Sequence, residues 1–161
     1  MGVKQLPATK LTSTSSVAAE EVGRVRWESA KAYRYVLAED AALANGDVVE
    51  YSDTSGNEVT KDRAGGASIG RVVAGVAIGT IADASYGWVQ VYGRHTAIKT
   101  DGGVATGDVL VPHTNKDGRA DSGTSASTVV ITAGQVFGHA LAADTDSTTT
   151  AGTVVGFIRC L

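Results

Sequence analysis

The sequence predicts an all-β domain, a small β-barrel built from two similar halves and preceded by an extended N-terminal arm. Three observations support this fold class. Ala, Gly, Val, Thr and Ser dominate the composition, with 20 Gly and only two Pro among 161 residues, which favours tight turns and pleated strands over long helices. Short apolar stretches alternate with turn signals along the chain. One six-residue phrase occurs twice. The length suits a single domain with its own core.

The repeated phrase is the strongest sign of internal organisation. Residues 44–49 read Ala-Asn-Gly-Asp-Val-Val, and residues 105–110, 61 positions later, read Ala-Thr-Gly-Asp-Val-Leu. In both copies, Gly permits a positive φ and Asp can hydrogen-bond its own backbone to hold a turn, after which the apolar pair starts a strand. Two copies are too few for a solenoid. They predict two half-domains, at about 33–92 and 94–158, that close on each other.

The N-terminal 23 residues differ from the rest of the chain. They are small and polar, with a run of Ser and Thr at positions 12–16. Such a segment buries too little apolar area to offset the entropy of ordering it alone. We therefore expect a flexible arm at 1–23, either disordered or held on a partner, followed by one barrel domain at 24–161. A plain mobile terminus is the alternative.

The first half reads as a series of short strands. Alternating large residues around 25–27 and 33–37 predict two strands joined by a turn at 29–31. Strands are also predicted at 48–51, 58–60 and 88–92. The apolar run 69–81 holds three glycines that would each cost a helix about 1 kcal/mol, so it is also interpreted as strands.

The second half follows the same course. Strands are predicted at 95–99, 109–111, 129–132, 136–141 and 154–160. Pro112 cannot donate a ladder hydrogen bond, so it is expected to end its strand or lie at an edge. The Asn-Lys-Asp-Gly sequence at 115–118 predicts a turn.

Charge and cysteine content exclude several classes of protein. The net charge is −3 with no block of like charge, which argues against a nucleic-acid binder. Cys160 is the single cysteine, so no disulfide can form within the chain.

No apolar run is long enough to span a bilayer, and the start of the chain lacks the apolar core of a signal peptide. We expect a protein made in the cytoplasm.

The sequence offers no catalytic constellation. His95, His113 and His139 are dispersed, and neither a nucleophile elbow nor a zinc spacing accompanies them. Cys160 lacks a local context that would lower the pKa of its thiol. We therefore predict that the chain is not an enzyme and uses no cofactor. The alternative, an enzyme on the same scaffold, requires one of the three histidines to meet an acid.

An acidic pair in the second half resembles the start of a calcium loop. It consists of Asp144 and Asp146, but the sixth and twelfth positions of that loop hold Thr149 and Val155 instead of Gly and Glu. A loop of solvated acids is the better interpretation, and no metal site is predicted.

The best candidate for a binding surface is a run of basic and aromatic residues at the start of the barrel domain. Trp, Tyr and Arg are the side chains most enriched where proteins bind each other. Because the residues alternate along predicted strands, half of them could instead face the core. The candidates are Arg24, Arg26, Trp27, Tyr33, Arg34 and Tyr35.

The order of four motifs resembles the capsid decoration, or head cement, proteins of tailed bacteriophages. These motifs are Tyr-Arg-Tyr-Val at 33–36, the phrase at 44–49, Gly-Val-Ala-Ile-Gly at 75–79 and Gly-Trp-Val-Gln-Val at 87–91. The similarity covers about residues 24–110 and continues into the second half through the repeat. It implies a barrel of the β-clip, β-tulip-like kind.

The resemblance also implies a function. Proteins of this family are non-enzymatic virion components that sit on the outer surface of the capsid and stabilise its lattice, commonly as trimers. The implied partners are the major capsid protein and further copies of the chain, with no nucleic acid and no membrane. The alternative is a receptor- or glycan-binding module of a phage fibre, which Trp27, Trp88 and the polar loops favour.

Overall fold

The computed structural model describes residues 9–52, 56–62, 72–123, 135–144 and 151–161. These residues form strands and turns and contain no helix, so the all-β prediction is confirmed for them. The strands, in chain order, are β1 (Val25–Glu28), β2 (Lys31–Ala38), β3 (Val48–Tyr51), β4 (Glu58–Thr60), β5 (Val73–Ala77), β6 (Ser85–Thr100), β7 (Val109–Pro112), β8 (Ala120–Ser122), β9 (Gly138–Ala140) and β10 (Gly152–Arg159).

The strand pairings close into two five-stranded rings. The first ring runs β2-β4-β3-β5-β6 and returns to β2. The second runs β6-β8-β7-β9-β10 and returns to β6. The long strand β6 belongs to both, and each ring contains one parallel pair, β2 with β4 and β6 with β8. The predicted small barrel is therefore confirmed, and β1 adds a hairpin strand to the outer edge of β2.

Two apolar clusters fill the rings. Strand β5 is buried along its whole length because its two faces serve different clusters. Ala74 and Ala77 pack in the first cluster, and Val73 and Val76 pack in the second. A short continuous apolar run without alternation is typical of such a strand. The first cluster also holds Val36, Val49, Val59, Ile81 and Val89, and the second holds Ile98, Leu110, Phe137, Val154 and Ile158.

Both copies of the repeated phrase make the same turn. The Ala44 amide donates to Asp47 Oδ2 at 2.8 Å and the Asp47 amide donates back to the Ala44 carbonyl at 3.0 Å. The equivalent bonds between Ala105 and Asp108 measure 2.9 and 3.2 Å. Each turn is then held on the neighbouring strand of its ring, β5 in the first and β9 in the second. The limits of the two halves drawn from the sequence stay a prediction.

The turns differ in what surrounds the aspartate. Asp47 is buried and lies between two lysines, with its carboxylate oxygens 3.2 Å from Lys61 Nζ and 2.5 Å from Lys99 Nζ. Lys99 belongs to the half of β6 that enters the second ring. Gly118, in the predicted turn at 115–118, donates to the Lys61 carbonyl and accepts from the Val48 amide. Asp47 therefore stands where the two rings join.

The predicted strands at 88–92 and 95–99 are wrong as separate elements. They form one strand, β6, which bends at Gly93 with a φ of +98° and carries a register shift against β2. The bend lets one strand continue from the first ring into the second. The turn signal at 115–118 also predicts short strands on both sides, and these are β7 and β8, whereas β9 is shorter than the predicted 136–141. The strand predicted at 129–132 lies outside the described residues. Pro112 ends β7, as expected.

Candidate functional site

The alternation along the β1–β2 hairpin divides the six candidate residues between two faces. Residues that lie directly opposite each other on paired antiparallel strands share a face. Arg26 is opposite Tyr33, whereas Trp27 is opposite Ala32 and Val25 is opposite Arg34. One face therefore carries Arg24, Arg26, Tyr33 and Tyr35, and the other carries Trp27 and Arg34.

The first face is an aromatic cluster on the outer side of the first ring. Tyr33, Tyr35 and Trp88 are 7%, 2% and 1% exposed and pack together. The Tyr35 and Trp88 ring centroids are 5.1 Å apart, and the Arg26 guanidinium lies 4.4 Å above the Trp88 ring, within cation–π distance. The Tyr35 ring also stacks on Tyr86 at 6.1 Å.

Residues 9–20 of the same chain cover this cluster. Trp88 Nε1 donates to Thr9 Oγ1 at 3.1 Å, and Arg26 donates to the Thr9 carbonyl at 2.6 Å. The Ala19 amide donates to the Tyr35 hydroxyl at 3.2 Å, and Leu11 packs against the aromatic rings. The buried indole and phenol are thus satisfied by the chain's own N-terminal segment.

A carboxylate holds the two ends of this segment together. Glu20 accepts from both the amide and the hydroxyl of Thr9 at 2.9 Å, and Arg24 donates to its second oxygen at 2.7 Å. The hydrogen bond from the Thr9 amide, followed by the Thr9 hydroxyl and the nearby guanidinium groups, lowers the pKa of Glu20. Ser15 forms a backbone bridge with Tyr86. Residues 9–20 therefore lie on their own barrel, while residues 1–8 of the predicted arm lie outside the described residues.

The second face is open at Trp27, whereas Arg34 is partly buried. Trp27 is 58% exposed, and its ring packs on Tyr92 with the centroids 5.4 Å apart. Tyr92 in turn meets Phe157 edge-on at 5.2 Å. The Trp27 ring reaches Tyr92 across β2 because Ala32, which is opposite both residues, has a small side chain. Three rings from β1, β6 and β10 thus form one row at the surface.

Tyr92 and Phe157 were missed by the sequence reasoning. No local signal marks them, since their partnership with Trp27 arises only from the register between distant strands. Arg34 lies at the same end of the first ring, with its guanidinium 5.8 Å from the Tyr51 ring centroid.

The three histidines occupy different settings. His95 is buried in β6, His139 is exposed on β9, and His113 lies beyond β7. His113 lies near an acid, with Nε2 3.7 Å from Asp101. Its Nδ1 accepts the Asn115 amide at 3.0 Å, so both ring nitrogens are engaged in holding the loop after β7.

The described residues contain no group of three or more His, Cys, Asp or Glu side chains placed to hold a metal ion. Asp144 of the acidic pair accepts a hydrogen bond from the Thr100 hydroxyl, and Asp146 lies outside the described part of the chain. Burial raises the pKa of the Cys160 thiol to about 12, which keeps it neutral at physiological pH.

Burial of His95 predicts a pH-dependent stability. Desolvation, together with the nearby Lys31, lowers the pKa of His95 to about 4 in the folded chain, against about 6.5 when unfolded. Between these pH values the unfolded state binds more protons than the folded state. The free energy of unfolding therefore has its full value above pH 6.5 and falls as the pH drops toward 4. The loss from this residue reaches about 3 kcal/mol.

Urea unfolding at pH 7.0, 6.0 and 5.0 checks this prediction, with His95→Gln as the comparison. The variant should lose less stability than the wild type across this range, because its side chain does not titrate. Parallel curves for the two proteins would contradict it. His139→Gln is the control, since His139 is exposed on β9.

No protein-family model and no curated protein matches the chain. Among solved structures, the chain is similar to the N-terminal base of the head fibre protein gp8.5 of bacteriophage phi29. The TM-score is 0.49 with 18% sequence identity, covering 78% of this chain and 92% of that one. Within the described residues no helix has the length and apolar character needed to cross a membrane.

Proposed function

We propose that the chain is a non-enzymatic virion protein that binds the outer surface of a tailed-phage head and stabilises the capsid lattice. The observation that carries this proposal is the exposed Trp27, which packs on Tyr92 at the surface of a closed barrel. An exposed Trp on a rigid scaffold is typical of the residues that dominate protein–protein binding energy. The motif order that resembles the decoration family supports the same function.

The physical requirements of this function are modest. A protein that braces a lattice needs a rigid body and an adhesive face rather than catalytic groups. Two rings that share β6 and are cross-braced at Asp47 supply the rigid body. Many copies engaging a repetitive surface, or copies joined as a homotrimer, turn modest contacts into stable attachment. The major capsid protein is the proposed partner.

Binding to heads tests the proposal. The purified chain is mixed with expanded, DNA-free heads that lack it, and the mixture is sedimented. The chain should co-sediment to saturation and raise the temperature at which the heads disrupt. Failure to co-sediment at micromolar concentration would contradict the proposal.

A variant of the N-terminal segment separates attachment from folding. Removing all of residues 1–23 would uncover Trp88 and Tyr35, so loss of binding in that variant would be ambiguous. Removing residues 1–8 leaves the Thr9 and Glu20 contacts in place. The shorter deletion therefore tests whether the start of the arm takes part in head binding.

A groove favours the fibre-module function as a second candidate. It has a volume of about 360 Å³ and lies between residues 9–12 and β1, with Thr, Lys, Arg and Glu side chains that could hydrogen-bond a sugar. Binding of the isolated chain to a glycan array, without affinity for heads, would favour this candidate over capsid decoration.

A further inference from the structure

Arg94 and Arg159 lie on the same face as the row of rings that includes Trp27. In the pairing of β6 with β10, Tyr92 is opposite Arg159 and Arg94 is opposite Phe157. Opposed residues share a face, and so do residues two apart on one strand. The four side chains therefore form a block in which aromatic and basic groups alternate, and Trp27 extends it across Ala32. We call Trp27, Tyr92, Arg94, Phe157 and Arg159 the arginine–aromatic face.

The two arginines on this face have no acidic partner within the described part of the chain. Both are exposed, and no carboxylate of the described residues lies within ion-pair distance of either. Several other cations of the described residues are paired, as in Arg24 with Glu20, Arg119 with Asp101, and Lys61 and Lys99 with Asp47. A chain of net charge −3 thus places Arg94 and Arg159, which have no acidic partner among its described residues, beside its exposed ring row.

We propose that the arginine–aromatic face docks on an acidic protein surface, one that presents Asp or Glu side chains beside apolar groups. A guanidinium binds a carboxylate with two parallel charge-assisted hydrogen bonds. Aromatic rings beside exposed arginines match the composition of a binding hot spot. The inference rests on the proposed function, in which this acidic surface belongs to the outside of the head.

Two other occupants fit the charges less well. A nucleic acid requires a broad basic surface, whereas this face has two arginines on an acidic chain. A second copy that met the same face across a two-fold axis would oppose arginine to arginine. An acidic protein surface is the partner that satisfies both the rings and the guanidinium groups.

Charge reversal tests the inference on the full chain. Arg94→Glu and Arg159→Glu are each expected to weaken binding to expanded, DNA-free heads about 10-fold, and Trp27→Ala about 30-fold. Lys116→Glu is the matched control, because Lys116 is an exposed cation on the turn at 115–118 and should leave affinity within 2-fold. Wild-type affinity should fall between 50 and 500 mM NaCl, and this salt dependence should be smaller in Arg94→Glu.

A second experiment tests this inference separately from the proposed function. Tryptophan fluorescence is followed while poly-L-glutamate is added at low salt, with heparin and a duplex oligonucleotide as competitors. Poly-L-glutamate should shift the emission of the wild type, and the double charge reversal at Arg94 and Arg159 should abolish the shift. Thermal unfolding of each variant checks that it is folded.

The outcomes are distinct. Heads that bind wild type, Arg94→Glu and Arg159→Glu equally would overturn the inference and leave the proposed function standing. A wild type that ignores heads but binds poly-L-glutamate through the two arginines would overturn the proposed function alone. Tighter binding of heparin or DNA at this face, or self-association that charge reversal abolishes, would overturn the choice of partner.

Discussion

Replacing Gly46 by alanine is expected to lower the free energy of unfolding by about 4 kcal/mol, whereas the same change at Gly107 should cost about 1 kcal/mol. The two glycines occupy the same place in the two copies of the repeated phrase and have similar φ values, +85° and +90°. Both substitutions therefore carry the strain of a left-handed alanine. What differs is the space around the new methyl group.

At Gly46 a Cβ atom would lie 2.1 Å from the Ala97 carbonyl oxygen. That oxygen belongs to β6, which is held close because the Lys99 amide donates to the Gly46 carbonyl at 3.0 Å. Relief of the clash requires a backbone shift where the two rings join. At Gly107 no described atom lies within 4 Å of the added Cβ.

Urea unfolding followed by far-ultraviolet circular dichroism measures both variants, and a difference of about 3 kcal/mol between them is the expected result. Equal losses would contradict the model of a tight junction at the first turn. A variant of Gly46 too unstable to purify, alongside a soluble Gly107→Ala, would agree with it.

Replacing Asp47 by alanine is expected to cost about 3 to 4 kcal/mol, equivalent to a fall in melting temperature of about 10 °C for a chain of this size. The change removes the acceptor for the Ala44 amide and leaves Lys61 and Lys99 without their shared carboxylate. The loss is costly because the two partly buried lysines, with side chains 25% and 35% exposed, keep their positive charges without a compensating carboxylate.

Two further variants separate the contribution of the negative charge from that of the hydrogen bond to the amide. Asp47→Asn keeps an oxygen that can accept the Ala44 amide but removes the negative charge, so it should retain about 1 kcal/mol more stability than Asp47→Ala. Asp108→Ala removes the equivalent bond to the Ala105 amide at a less buried position and should cost about 1 kcal/mol. If Asp47→Ala and Asp108→Ala melt at the same temperature, the ion pairs at Asp47 contribute no stability.

The Gly46 and Asp47 variants act where the two rings join, and neither residue belongs to the arginine–aromatic face. They can therefore be combined with the binding experiments to ask whether rigidity of the barrel matters for attachment. Arg94→Glu changes the face and is expected to keep the stability of the barrel, whereas Asp47→Ala lowers that stability and keeps the face. Comparing the head affinity of the two variants should separate loss of contact from loss of rigidity.

Strand positions could be predicted where the signal is local. The predicted bounds 48–51 and 58–60 match β3 and β4, because turn residues flank both strands. The continuity of β6 could not be predicted, since Gly93 also reads as a turn when its neighbours in space are unknown. The parallel pairs that close each ring join residues such as Leu37 and Glu58, and their register leaves no periodic signal in the sequence.

The candidate site was predicted only in part, because the register between distant strands decides which side chains share a face. Trp27 was named from composition and is exposed, but the sequence could not tell which of its neighbours would share its face. Tyr33 and Tyr35, named with it, lie under residues 9–20 instead. The alternation along the predicted strands indicated that half of the candidates could face inward. It did not indicate which residues would cover them.

The sequence by itself determined the two turns, because glycine conformation and an aspartate bond to an amide three residues away are local chemistry that repeats wherever the phrase repeats. Only the tertiary structure decided that one turn is locked between two lysines while the other lies nearer the surface. It also brought Trp27, Tyr92 and Phe157 into one row beside two exposed arginines. The physical reason is that sheet register and burial depend on strands far apart in the chain, which no local pattern encodes.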